Sequence, residues 1–295
     1  ELKTKPTQHS VKMLSETGVH PDIIVCRTEE PLNDEIKKKI ALFCNVKQGS
    51  VIEAMDASTI YEVPILMLRE KLDLICLKKL NINGYGAPNL DKWNDFLQKL
   101  KNPKSEVRIG LIGKYIELQD AYKSILESFI HAGAPNEVKV KVVNVHSEHL
   151  TAENISEKLE GLDGLLVAPG FGNRGIEGKI HAVQYARENN LPFFGICLGM
   201  QMSVIEYARN VLGLADAHST EMDATTANPV INMIEEQKKI KMMGGTMRLG
   251  AYPCEITPGT LAHKIYGATS ITERHRHRYE FNNDYYDAFI NAGLV

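Results

Sequence analysis

The clearest candidate for chemistry in this sequence is a cysteine placed between two glycines. Cys197 follows the apolar run 192–196, with Gly195 and Gly199 two residues to either side. This Gly-x-Cys-x-Gly spacing is typical of a nucleophile elbow, in which a sharp strand-to-helix turn leaves no space for flanking side chains. A helix N-terminus favours thiolate, so we expect a lowered pKa for Cys197. The N–H of Leu198 is then expected to face a forming oxyanion, a contribution worth roughly 2.7–4 kcal/mol.

A glycine-rich loop favours a nucleophile over an ordinary turn residue. From its spacing alone, Cys197 is equally compatible with a small buried cysteine in a tight turn. The loop is Ala-Pro-Gly-Phe-Gly-Asn-Arg-Gly at residues 168–175, directly after a buried strand-like run. Neighbouring parallel strands bring such loops together at the carboxyl edge of a sheet, where ligands bind. Glycine there allows backbone amides to approach a substrate carbonyl, although glycines after a strand are commonly only turn residues.

The segments around the cysteine and the loop indicate an α/β domain. The predicted strands are 107–113, 138–145, 163–170 and 192–196, and the predicted helices are 120–131, 177–189 and 198–212. Asp120 is placed to cap the first of these helices. The alternation predicts an open, mostly parallel sheet with helices on both faces. Beyond Asn228 the signals are short β segments broken by glycine and proline.

The N-terminal part of the chain has the pattern of a domain whose beginning precedes Glu1. Residues 22–26 and 50–53 are strand-like, 33–43 is helix-like, and 60–74 has apolar residues at helical spacing. A polar stretch with the single tryptophan, Trp93, follows. We predict three parts: a domain tail at 1–82, a linker with one short helix at 83–105, and the α/β domain at 106–295, with its own C-terminus missing.

Composition and charge exclude several classes of protein. The chain has 295 residues, of which 43% are hydrophobic and 24% charged, and its net charge is −3. These values give no reason to expect a nucleic-acid or membrane partner. No apolar run approaches the roughly 20 residues that span a bilayer. The five cysteines (Cys26, Cys44, Cys76, Cys197 and Cys254) are odd in number and lack CxxC spacing, which argues against disulfides and zinc and favours a cytoplasmic location.

The elbow and the loop together resemble the class I glutamine amidotransferases, in which a cysteine and a His-x-Glu pair release ammonia from glutamine. Further stretches along the whole chain are similar to the CTP synthase family. They are KTKPTQHS at 3–10, KIALFCN at 39–45, GKYIEL at 113–118, DAYKS at 120–124, GGTMRLG at 244–250 and ERHRHRYE at 273–280. The resemblance implies a flavodoxin-like amidotransferase domain preceded by the tail of an α/β synthetase (amidoligase) domain.

For glutamine hydrolysis the resemblance implies a set of roles. Cys197 is expected to be the nucleophile. Glutamine and its oxyanion are expected to contact Gly170, Leu198, Gly199, Met200 and Gln201. Glu221 is expected to bind the amino group and Arg278 the carboxylate, which are natural partners of a zwitterion. Pro169 stands where the family more often has glycine, and since proline has no N–H, a loop donor here would be Gly170 or a neighbour.

For nucleotides the resemblance implies synthesis of CTP from UTP activated by ATP, with GTP as activator and CTP as inhibitor, in a homotetramer. UTP or CTP is expected to contact Lys3, Thr4, Lys5, Pro6, Thr7, Gln8 and Lys39. ATP is expected at Met55, Asp56 and Ala57, and GTP activation is expected to involve Lys123 and Arg248. Mg²⁺ is expected to accompany ATP in the complete enzyme, and no metal is expected in the amidotransferase domain.

Two expected motifs are not in this sequence. There is no Gly-x4-Gly-Lys-Ser/Thr loop, so the ATP phosphate cradle and the magnesium carboxylates are expected before Glu1. The single His-x-Glu, His146-Ser147-Glu148, precedes Cys197 and is interpreted as a strand-end loop, so the catalytic pair is expected after Val295. His275 and His277 belong to the expected glutamine-binding region and are not assigned as the base. Whether this chain alone turns over glutamine is left open.

The sequence leaves two other interpretations open. The first is a different enzyme: a related amidotransferase that feeds another acceptor, or a hydrolase that uses the same cysteine elbow. The KTKPTQHS, GGTMRLG and RHRHRYE runs argue against it. The second is a fragment that binds nucleotide and assembles without doing chemistry.

Overall fold

The computed structural model describes residues 2–233 and 248–294. The chain divides into two compact units, one ending at Lys101 and the other beginning at Asn102. The predicted boundaries at 82 and 105 stay predictions.

The N-terminal unit contains a parallel pair of strands covered by helices. Its elements are α1 (Lys5–Glu16), β1 (Ile24–Thr28), α2 (Asp34–Phe43), β2 (Val51–Met55), α3 (Val63–Arg69), α4 (Leu72–Lys79) and α5 (Asp91–Lys101). β1 pairs with β2, and Ile24 and Val51 from the two strands pack on Ile40 of α2. Asn33 caps α2, because its side chain accepts the N–H of Ile36 at 2.9 Å.

Two stretches in which the sequence indicates helix, 60–74 and the predicted linker, do contain helices. The stretch 60–74 is not one helix: a 3₁₀ turn at Ile60–Glu62 precedes α3, and the chain breaks before α4 at Lys71, whose φ is +57°. In the stretch predicted as a linker, α5 is packed through aromatic contacts. The indole N–H of Trp93 donates to the carbonyl of Tyr61 at 2.8 Å, and both rings contact Phe96.

The C-terminal unit is built on a four-stranded parallel sheet in the order β4-β3-β5-β6. The strands are β3 (Ser105–Gly113), β4 (Val138–His146), β5 (Gly164–Val167) and β6 (Phe193–Gly195), and the helices are α6 (Lys123–Gly133), α7 (Ile155–Leu159), α8 (Ile176–Glu188) and α9 (Leu198–Asn210). Alternate residues face opposite layers, as strand geometry requires. Ile112 and Val167 pack with α7, α8 and α9, whereas Leu111 and Leu166 pack with α6. The predicted α/β sheet with helices on both faces is confirmed.

The predicted helix cap at Asp120 is wrong. Residues Gln119–Tyr122 form a 3₁₀ turn, and α6 begins only at Lys123. The physical reason is the burial of Tyr122, which is 5% exposed and packs with Leu111 beneath the sheet. Its anchored ring sets where the helix begins.

The remainder of the unit consists of short elements. β7 (His218–Ser219), β8 (Pro229–Met233) and β11 (Tyr279–Phe281) form a mixed three-stranded sheet in the order β11-β8-β7, and β9 (Arg248–Glu255) pairs antiparallel with β10 (Ser270–Arg276). The last two helices are α10 (Leu261–Tyr266) and α11 (Tyr286–Asn291). Within 2–233 and 248–294, no helix has both the length and the apolar character to cross a membrane.

Candidate active site

The elbow predicted at Cys197 is present. β6 ends at Gly195, α9 begins at Leu198, and Cys197 between them has φ +53° and ψ −106°. A side-chain-bearing residue in such a conformation stores roughly 1–3 kcal/mol of strain, which the surrounding packing must offset. Strain of this kind is concentrated at functional sites and holds a side chain in a defined direction.

The flanking glycines are required by close backbone contacts. A Cβ atom placed at Gly195 would lie 2.5 Å from the carbonyl carbon of Gly199. A Cβ atom placed at Gly199 would overlap the carbonyl oxygen of Val167 in β5. The turn therefore has no space for side chains at the two glycines that flank Cys197, as the spacing predicted, and α9 lies directly against the end of β5.

The glycine-rich loop lies beside the elbow because β5 and β6 are neighbours. A Cβ atom placed at Gly170 would lie 3.4 Å from Cδ2 of Leu198. Further along the loop, the N–H of Gly172 donates to the Glu221 carboxylate at 3.3 Å. The structure thus brings Gly170, Leu198, Glu221 and Cys197 into one region at the carboxyl edge of the sheet.

The expected lowering of the Cys197 pKa is wrong for this arrangement. Cys197 is exposed at the surface, but the protein packed around it partly desolvates the sulfur and raises the pKa of Cys197, and the Glu221 carboxylate raises it further. The Leu198 N–H, which hydrogen-bonds to the sulfur, and the Lys179 ammonium both lower it, but by less. The helix N-terminus does favour thiolate as predicted, and the sequence pattern missed the larger cost of desolvation.

The predicted glutamine residues on α9 differ in exposure. Leu198 and Gly199 are buried, whereas Met200 is 40% exposed. Gln201 is buried, and its side-chain amide donates to the carbonyl of Tyr279 at 2.8 Å. This contact holds β11 against α9. A contact between Gln201 and glutamine stays a prediction.

Arg278 precedes Tyr279 and carries an unsatisfied donor. Its Nε is buried and has no hydrogen-bond partner in the described parts of the chain. Such a donor costs about 1–3 kcal/mol unless a partner arrives. The Arg278 guanidinium therefore has a donor available for a carboxylate ligand.

The histidines of the His-x-Glu motif and of the 273–280 segment have contacts of their own. His275 stacks on Tyr252 with ring centroids 5.3 Å apart, and His277 lies 3.5 Å from the Glu280 carboxylate. His146 ends β4, which is separated from β6 by two strands, and it stacks on His149 at 4.5 Å. The interpretation of the His146 motif as a strand-end loop is confirmed.

Two buried lysines under the loop were missed by the sequence reasoning. Lys179 of α8 is 0% exposed and donates to the carbonyl of Ala168 at 3.0 Å. Lys114 is 6% exposed, donates to the carbonyl of Phe171 at 2.5 Å, and lies 5.2 Å from the ring centres of Tyr115 and Phe171. A signal for Lys179 was available, because it shares the apolar helical spacing of Ile176 and Val183.

The segment expected to bind UTP or CTP begins a helix. Residues 5–8 form the first turn of α1, with Pro6 inside it. Thr4 is buried and accepts from the side chain of Gln8 at 3.0 Å. Lys3, Lys5 and Lys39 are exposed, and Thr7 is half-buried.

The stretch expected to contact ATP follows β2. Met55 ends the strand, and Asp56 pairs with Arg27 at 2.8 Å on the surface, with half-buried Ala57 next in the chain. Among the described residues, no group of three or more His, Cys, Asp or Glu side chains could hold a metal ion. The Mg²⁺ expected with ATP stays a prediction.

The two residues expected in GTP activation are only partly described. Lys123 begins α6 and pairs with Glu127 at 2.8 Å, which raises the pKa of Lys123. The side chain of Arg248 and the motif residues 244–247 lie outside what the structure describes.

Comparison with known proteins identifies the family of the C-terminal unit. The family model for class-I glutamine amidotransferase matches residues 117–294, which is more than half of the chain. The chain belongs to the class I glutamine amidotransferase family. A second family model, for the CTP synthase N-terminus, matches residues 1–82 of this amidotransferase.

Curated relatives of this amidotransferase are similar to it over its whole length. CTP synthase of Flavobacterium johnsoniae is 66% identical over 294 residues, and that of Cytophaga hutchinsonii is 65% identical over 295, each match covering 100% of this chain and 55% of the relative. The chain thus spans about half the length of these relatives. The expected similarity to CTP synthases is confirmed.

A solved structure supports the same fold. The glutaminase domain of Trypanosoma brucei CTPS with bound acivicin is 40% identical, with a TM-score of 0.59, over 63% of this chain and 72% of that one.

Proposed function

We propose that this chain is the glutaminase part, with an adjoining synthetase segment, of a CTP synthase that hydrolyses glutamine and passes the ammonia to ATP-activated UTP. The observation that carries the proposal is the strained Cys197 elbow packed against the Gly170 loop. It occurs in a chain that is 66% identical to a CTP synthase along its whole length.

The chemistry proposed at the elbow is acyl transfer. The Cys197 thiolate attacks the side-chain amide carbon of glutamine, the C–N bond breaks, and ammonia leaves with an added proton. A glutamyl thioester remains, which water hydrolyses to glutamate and the free thiol. In this proposal the oxyanion is held by the N–H groups of Leu198 and Gly170, because Pro169 has no N–H to offer.

The binding of glutamine is proposed to use both of its charged ends. Glu221, already fixed by the N–H of Gly172, would accept the amino group, and Arg278, with its buried unpaired Nε, would donate to the carboxylate. A leaving ammonia needs a general acid. The His-x-Glu pair of this chain, His146 and Glu148, lies at the end of β4, on the far edge of the sheet from β6. We therefore do not assign either residue as the acid that protonates ammonia.

The nucleotide roles are proposed from the similarity to CTP synthases. They are UTP or CTP at Lys3–Gln8 and Lys39, ATP at Met55–Ala57, and GTP activation through Lys123 and Arg248. The exposure of Lys3, Lys5 and Lys39 leaves three cations free to meet a triphosphate. We propose a tetramer of identical chains in the cytoplasm, inhibited by CTP.

The test is CTP formation by the full-length protein with either glutamine or ammonium as nitrogen donor. We expect Cys197→Ala to abolish the glutamine reaction and to keep the ammonium reaction, because only the first needs the thioester. Continued use of glutamine by the variant would show that the elbow is structural. Absence of CTP from both donors in the parent protein would show that the acceptor is not UTP.

A further inference from the structure

A buried ammonium lies beneath the candidate site without an acidic partner. Lys179 is on the apolar face of α8, between Ile176 and Val183, and is fully buried. Its Nζ donates to the carbonyl of Ala168, and within the described residues no carboxylate forms an ion pair with it. A buried charge without an ion-pair partner is costly, so a benefit elsewhere is expected to offset it.

The ammonium is directed at the loop that borders Cys197. Ala168, which accepts its hydrogen bond, is the first residue of the glycine-rich loop. A Cβ atom placed at Gly170 would lie 3.7 Å from Lys179 Nζ and 3.4 Å from Leu198 Cδ2. The ammonium therefore lies below the same point of the loop that the first residue of α9 touches.

The charges that face this ammonium can be named from the surrounding elements. Lys114, which follows β3, approaches the same loop position, because its Cε would lie 3.9 Å from a Cβ atom placed at Gly170. From the elbow, the Cys197 thiolate interacts favourably with Lys179, and from the segment after β7, Glu221 interacts unfavourably with Cys197. The Cys197 thiolate is thus destabilised by one carboxylate and stabilised by one ammonium.

We propose that Lys179 is a positioning residue of the glutaminase site, which orients the Ala168–Gly170 backbone through the Ala168 carbonyl and whose charge favours the Cys197 thiolate. The proposal rests on the proposed function, since it deepens the role of the same elbow. The loss of an N–H at Pro169 makes the orientation of Gly170 more important, because Gly170 is then the first amide donor of the loop.

The charge of Lys179 is present at neutral pH and is lost in mildly alkaline solution. Burial, with a smaller effect from Lys114, lowers the pKa of Lys179 to about 8. Below that pH the ammonium opposes the effects of burial and of Glu221 on Cys197. Above it, the support decreases as the lysine deprotonates.

The test measures alkylation of Cys197 by iodoacetamide in the full chain, followed by peptide mass mapping over roughly pH 6 to 10. Cys254, which is exposed, is an internal control in each sample. Lys179→Gln keeps a donor for Ala168 but removes the charge, and Lys179→Arg keeps the charge. Lys158→Gln on α7, at an exposed position, is the matched control for loss of a lysine.

We expect Lys179→Gln to slow alkylation of Cys197 near pH 7 by about threefold to tenfold and to shift the profile to higher pH. Lys179→Arg is expected to stay near the parent, as is Lys158→Gln. A folded Lys179→Gln with the parent's profile, or the same upward shift in Lys179→Arg, would overturn the proposal. If the Gln variant does not fold, Lys179→Met gives the uncharged comparison.

This assay needs no glutamine. A failure of the proposed glutaminase function would therefore leave the alkylation profile measurable, and the two failures can be told apart.

Discussion

At the carboxyl edge of the four-stranded sheet, close backbone contacts of Gly195 and Gly199 hold the turn at Cys197, and the side chain of Leu198 lies against Gly170. In the N-terminal unit, Lys3, Lys5 and Lys39 are exposed on or beside helix surfaces. The first group is positioned by packing, so changes to the packing should change both stability and chemistry. Substitutions in the second group should affect nucleotide binding alone, since these exposed side chains contribute little to the fold.

The largest expected effect comes from the helix pair that supports the elbow. Glu206 of α9 is 1% exposed and accepts from Arg187 of α8 at 2.8 and 3.0 Å. Arg187→Met leaves this buried carboxylate without its partly exposed cation, and we expect a loss of about 3–5 kcal/mol of unfolding free energy in urea denaturation. Lys104→Met removes an exposed ion pair with Glu137 and should cost less than about 1 kcal/mol. Equal losses of unfolding free energy in the two variants would contradict the view that packing around the elbow matters more for stability than exposed charges do.

The next effect comes from the elbow itself. Gly199→Ala places a Cβ atom against the Val167 carbonyl, and we expect about 3 kcal/mol of destabilisation together with loss of rapid Cys197 alkylation. Gly49→Ala is the matched control and should be nearly neutral, because a Cβ atom placed at Gly49 would have no atom within 4 Å beyond its chain neighbours. If Gly199→Ala were as stable as the control, the backbone of α9 could not lie as close to the Val167 carbonyl as the structure shows.

A stabilising substitution sharpens the comparison further. Lys179→Met removes a buried charge, and we expect unfolding free energy near pH 7 to rise by about 2–3 kcal/mol. Because the pKa of Lys179 is lowered to about 8, the unfolded chain binds its proton more strongly. The cost is therefore full below pH 8 and disappears as the pH approaches about 10.5, so the parent and the variant should converge there. A difference that is independent of pH would indicate a packing effect.

The smallest effect on stability is expected in the N-terminal unit. Lys39→Ala changes an exposed side chain on α2 and should alter unfolding free energy by less than about 0.5 kcal/mol. In the full-length protein we expect it to weaken UTP binding by about tenfold, measured by titration calorimetry. Lys38→Ala, also exposed on α2, is the control. A large loss of stability with unchanged UTP binding would reverse the contrast between the two regions.

The elements that the sequence predicted well are those with a strong local signal. The glycine spacing around Cys197 predicted the elbow because no other residue fits so close to Val167 and Gly199. The βα alternation predicted the parallel sheet because buried strands are short apolar runs. The start of α6 was predicted incorrectly, since the burial of Tyr122 overrides the capping signal of Asp120.

The sequence by itself determined the candidate nucleophile Cys197, its backbone turn and the family to which the chain belongs, because these depend on residues adjacent in the chain. Only the tertiary structure decided the charge around that nucleophile. Lys179, Glu221 and Cys197 are far apart in sequence and meet at one edge of the sheet. Desolvation depends on everything packed around the sulfur, so the direction in which the pKa of Cys197 is shifted could not be predicted from its local motif.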